Sequence, residues 1–101
     1  MEIGSRKIYN LQDLRSFVQE VLCQRDHLEV GAFHLTERLL VRGGLPCGMY
    51  FCLHGPRAVK LTAVWDAASN AVLFYGSSGE RFQKIRLLEP IVAELPRPTA
   101  E

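Results

Sequence analysis

The stretch "MYFCLHGPRAVKLTAVWDAASNAVLFYG", Met49 to Gly76, decides the fold. It divides into "MYFCLH", "VKLTAVWD" and "AVLFYG", three short runs rich in β-branched and aromatic residues, separated by "GPRA" and "AASN". Connections this short join only antiparallel neighbours, because parallel strands need a crossover of about a dozen residues or more. Within each strand successive side chains point to opposite faces. Met49, Phe51 and Leu53 therefore share one face, and Tyr50, Cys52 and His54 the other. On the next strand Val59, Leu61, Ala63 and Trp65 form the apolar face.

Moving outward, "SSGE" and then "RFQKIRL" add a strand on the C-terminal side, with Gly76 and Gly79 serving the turn. On the N-terminal side, "AFHLTERLLVR" alternates Phe33, Leu35, Leu39 and Val41 with His34, Thr36, Arg38 and Arg42. Only Glu37 and Leu40 break that alternation. It reads as a half-buried strand between Gly31 and "GGLPCG", with a helix ending at Gly43 as the alternative. Further back, Leu11, Leu14, Phe17, Val18, Val21 and Leu22 recur at steps of three and four in "NLQDLRSFVQEVLCQRD", the spacing of one helix face. Asn10 stands at the N-cap position, and Asp13 lies where a carboxylate meets the positive end of the helix dipole.

These elements predict an α+β domain: one N-terminal amphipathic helix packed on a curled five-stranded antiparallel β-meander. Residues 1–95 read as a single domain and 96–101 as a loose tail. "EPIVAELPRPTAE", with three prolines, predicts a docked extended segment or short helix before that tail. In outline the layout, a helix cradled by a curled sheet, resembles the cystatin-type arrangement. No motif residue of that family can be placed on this chain, so the resemblance implies a layout and no function.

Composition narrows the class. A chain of 101 residues with 48% hydrophobic and 23% charged side chains matches an ordinary globular domain. Twelve basic and eleven acidic residues leave a formal charge of +1, which argues against a dedicated nucleic-acid binder. No apolar run approaches the roughly 20 residues that span a bilayer. "SRKIYN" leads into an amphipathic segment rather than an apolar one with a small-residue cleavage site, and three cysteines lack disulfide-framework spacing. The expectation is a cytoplasmic protein with free thiols.

Several residues invite a chemical reading. Cys47, Cys52 and His54 suggest a metal site, but tetrahedral zinc needs about four convergent ligands, usually from two tight cysteine pairs. Cys23 and His27 could supply a second half-site if the helix runs one turn past Cys23, but Cys23 projects away from the helix's apolar stripe, toward solvent. No metal and no cofactor are predicted. Cys52 and His54, about 6.5–7 Å apart along one strand face, also resemble a nucleophile and its base, yet a thiol in an apolar strand stays protonated and inert. "GSSGERF" precedes a strand, so it lacks the helix end that makes a phosphate loop. Arg57 stands at the tip of the "HGPR" turn, and Lys60, Lys84 and Arg86 fit a solvated strand face.

The stronger signal is a second apolar sheet face. Tyr50, Cys52, Val64, Val72 and Phe74 fall on the face away from the helix if registers are regular, where a solvated antiparallel sheet would be polar. Something should cover it: the C-terminal segment through Leu88, Ile91, Val92 and Leu95, a second copy, or a ligand. The leading expectation is a small non-enzymatic interaction or regulatory module, self-associating or bound to a protein partner through Tyr50, Val64, Val72 and Phe74. The alternative is a small-ligand binder or minor enzyme with a pocket between helix and sheet, contacted by Cys52, His54, Arg57 and Trp65.

Overall fold

The computed structural model describes residues 8–88. The docked segment and tail expected beyond Leu88 lie outside the described residues. One helix, α1 (Leu11–Arg25), precedes five strands: β1 (His34–Arg42), β2 (Leu45–His54), β3 (Lys60–Asp66), β4 (Ala71–Tyr75) and β5 (Arg81–Arg86). The strands lie in sequence order, every neighbouring pair antiparallel, in an open sheet edged by β1 and β5. The α+β meander stands as expected.

Helix α1 begins where its cap predicts. Asn10 Oδ1 accepts the Asp13 backbone N–H at 2.8 Å, satisfying one orphan donor of the first turn, and Asp13 Oδ2 accepts the N–H of Tyr9, the residue before the cap, at 3.1 Å. Leu14, Phe17, Val18, Val21 and Leu22 of α1 are buried against Met49, Phe51, Leu53, Leu61, Ala63 and Trp65 of the sheet. Each such large side chain contributes about 1.5–3 kcal/mol by leaving water. Phe17 meets Phe74 edge to face, with ring centroids 6.1 Å apart, and Phe82 flanks Phe74 at 6.1 Å.

The two residues that break the alternation in β1 have separate explanations. Glu37 pairs with Phe51, so it lies on the helix side of the sheet. There its carboxylate accepts both Arg15 Nε and Arg15 Nη2 of α1 at 2.7 Å, a fork that ties the edge strand to the helix. Leu40 pairs with Gly48 on the opposite face, just before a register shift that continues the hairpin to its Gly43–Gly44 turn. Both glycines have positive φ, +60° and +80°, as a tight two-residue hairpin turn requires. That turn corrects one boundary: β2 starts at Leu45, so Cys47 belongs to the strand and not to a loop.

Two further expectations are overturned. Val72 and Phe74 lie beneath the helix, each 0% exposed, and not on the outer face. The Ala67–Asn70 turn pairs Asp66 with Ala71, and hence Trp65 with Val72 and Ala63 with Phe74. Partners across an antiparallel ladder share a face, so a one-residue difference in register exchanges the two sides of β4. The outward residues are Ala71, Leu73 and Tyr75.

Cys23 is also buried, at 1% exposure, instead of facing solvent. The chain leaving the helix folds back over it, with Leu28 N–H bonding the Cys23 carbonyl at 2.8 Å and the thiol reaching the Glu29 carbonyl at 4.0 Å.

Candidate functional site: the outer face of the sheet

The strand register draws the outer face row by row. One row crosses all five strands as Arg38, Tyr50, Val64, Leu73 and Lys84. The next runs Thr36, Cys52, Thr62, Tyr75 and Arg81, and a third runs Leu40, Gly48, Asp66, Ala71 and Arg86. At one end His34, His54 and Lys60 close the face. Its middle is an apolar strip on β2, β3 and β4, in which Tyr50, Val64, Leu73 and Tyr75 are half-buried. Cations stand on both sides of that strip: Arg38 on β1, and Arg81, Lys84 and Arg86 on β5.

Charge is segregated between the two sides of the sheet. Of the described carboxylates, Asp13 and Glu20 are on α1, Asp26 caps it, and Glu29 lies in the loop that follows. Glu37 and Glu80 pair with the helix arginines Arg15 and Arg25. Asp66 alone among them belongs to the outer face. It accepts the Ser69 hydroxyl at 2.7 Å and the Ser69 N–H at 3.3 Å, bonds that hold its pKa below the usual value. Arg38, Lys60, Arg81, Lys84 and Arg86 form no ion pair with a described residue. The near-zero net charge conceals this division.

The residues expected to surround a ligand pocket are not brought together. Cys52 and His54 stand on the outer face, whereas Trp65 is on the helix face, 3% exposed, its Nε1–H donating to Asn70 Oδ1 at 3.0 Å. Arg57 is exposed in the turn after β2, where it and Ala58 both hold left-handed φ, 57° and 63°. His54 Nε2 lies 3.1 Å from Thr36 Oγ1, and the His54 ring stacks on His34 at 5.9 Å. Burial pushes the Cys52 thiol pKa up, with Lys60 acting in the opposite direction, so the sulfur is held as the weakly nucleophilic thiol. Among the described residues no group of three or more His, Cys, Asp or Glu side chains is placed to hold a metal.

Of the expected contact residues, Tyr50 and Val64 are on the outer face, where Leu73 and Tyr75 replace Val72 and Phe74. The basic rims escape a linear reading because Arg38 and Lys84 are 46 positions apart in the chain and align only through four ladders. No family model, no curated protein and no solved structure matches this chain, so its function is argued from the face itself.

Proposed function

We propose that the chain is a small non-enzymatic interaction module that makes its contacts through the outer face of its sheet. The observation that carries this reading is the strip of Tyr50, Val64, Leu73 and Tyr75, an apolar surface opposite the helix on a sheet whose other side is already packed. A ladder that needed only solvent on that side would alternate to polar residues here. A ligand pocket between helix and sheet has less support, because Leu14, Val18, Leu22, Leu53, Leu61 and Val72 fill that layer at 0% exposure.

Self-association through the same face is the weaker form of the proposal. Stacking two copies about an axis along the strands sets β1 over β5, and an axis across the strands sets each strand over its own copy. Either way Arg38, Lys84 and Arg86 approach cations, with only Asp66 to offset them.

The test is site-specific photo-crosslinking in living cells, with the probe placed at Val64 or Leu73 and, as reference, at the exposed helix positions Gln12 or Ser16. The reading expects discrete, mass-mapped crosslinks from Val64 and Leu73 and none from the helix positions. Equal crosslinking from both sides, or none from the sheet, contradicts it.

A further inference from the structure

We propose that the occupant of the outer face is an acidic amphipathic helix of a protein partner, its apolar stripe on the β2–β4 strip and its carboxylates against the β5 cations on one side and Arg38 on the other. This rests on the reading of the sheet as a contact face and adds the chemistry of what binds there.

Charge complementarity is the first argument. Among the described residues five cations on the face, Arg38, Lys60, Arg81, Lys84 and Arg86, stand against one carboxylate, Asp66, and that one is already held by Ser69. An apolar surface rimmed in this way rejects a cationic or purely aliphatic partner and selects an anionic one.

Dimensions are the second. Strands about 4.8 Å apart place β1 about 19 Å from β5, with an apolar centre about 10 Å wide. A helix with its side chains is about 10–12 Å across, so it covers the strip while its flanks reach the rims. Along the strands, alternate residues repeat about every 6.8 Å against a helical pitch of about 5.4 Å, a difference of about 2.8 Å over two repeats that long arginine, lysine and glutamate side chains can span. Glutamates one turn apart on one flank therefore run beside Arg81, Lys84 and Arg86 on β5, and a carboxylate on the other flank meets Arg38.

The chemistry of the strip separates this partner from the other polyanions. Single-stranded nucleic acid gains affinity by stacking bases on aromatic faces. Here Val64 on the central strand lies between Tyr50 on β2 and Leu73 on β4, and Tyr75 stands beside Leu73 along β4, so the two tyrosines are two strands apart. Aliphatic side chains suit the leucine face of a helix.

The probe is a fluorescein-labelled synthetic peptide of about four helical turns, with leucine along one face and glutamate on both flanks. Its twin carries lysine at every glutamate. Fluorescence anisotropy with the full chain should show binding of the glutamate peptide, at least about tenfold tighter than the lysine twin and weakening as salt is raised. Lys84→Glu with Arg86→Glu, two exposed positions, should weaken it by about tenfold or more while the circular dichroism spectrum is unchanged. Equal binding of the two peptides, no binding of either, or binding of a short oligodeoxythymidylate or anionic vesicles in their place overturns the proposal. Crosslinks from Val64 and Leu73 without glutamate-peptide binding would sink the partner chemistry and leave the contact face standing. The absence of both would sink the two readings together.

Discussion

Replacing Phe74 by alanine and Leu73 by alanine or lysine removes neighbouring side chains of one strand that the register sends to opposite sides. Phe74 is 0% exposed and sits between the rings of Phe17 and Phe82. Its truncation loses the transfer energy of the ring and leaves a cavity under α1, a cost of about 3–5 kcal/mol. Leu73 is half-buried on the outer face, so Leu73→Ala should cost about 1 kcal/mol or less, and Leu73→Lys should be tolerated because its ammonium reaches water. Urea unfolding followed by circular dichroism reads the difference. With a denaturant slope of about 1–3 kcal/mol per molar, Phe74→Ala should lower the midpoint by about 1 M or more, and Leu73→Lys should barely move it. Because total stability for a domain of this size is about 5–15 kcal/mol, Phe74→Leu provides a milder core variant should the alanine one fail to fold. Leu73→Lys as damaging as Phe74→Ala, or Phe74→Ala without effect, would refute the register on which the outer face is drawn.

Three further outcomes follow from local geometry. Ala58 holds φ 63°, a conformation that costs an L-residue with a Cβ, so Ala58→Gly should raise the stability measured by thermal melting by about 1 kcal/mol, and a loss would contradict the turn. A Cβ on Gly48 would run into the Trp65 carbonyl oxygen across the β2–β3 ladder, so Gly48→Ala should destabilise by about 2 kcal/mol in the same melts, and a neutral result would contradict that close approach. Burial raises the pKa of Cys23 and Cys52, which lowers their thiolate fraction near neutral pH, so iodoacetamide should label Cys47 well before either. Mass spectrometry showing Cys52 as the fastest-labelled thiol would revive a reactive-cysteine reading.

Much of the fold was legible because period two and short turns are local signals. Asn10, the α1 stripe and the runs around Phe51, Leu61 and Ile85 each announce their element within a few residues. The face of β4 was not legible. Nothing in "WDAASNAV" states whether Trp65 is opposite Val72 or offset by one, and that register decides whether Phe74 or Leu73 looks outward. Cys23 failed for a related reason: helix angle alone places it away from the stripe, and only the return of Leu28 buries it. The basic flanks are a tertiary property, since Arg38 and Lys84 occupy opposite edge strands amid a balanced composition.

The central proposal is that the side of the sheet away from α1 makes the chain's contacts and that its centre at Val64 and Leu73 is open to solvent in the isolated chain. Methyl NMR of the full chain with a soluble gadolinium chelate tests it most directly. The account predicts strong broadening of the Val64, Leu73 and Thr62 methyls and little effect on those of Leu61, Ala63 and Val72 on the opposite side of the same strands. Equal protection of both sets would contradict it.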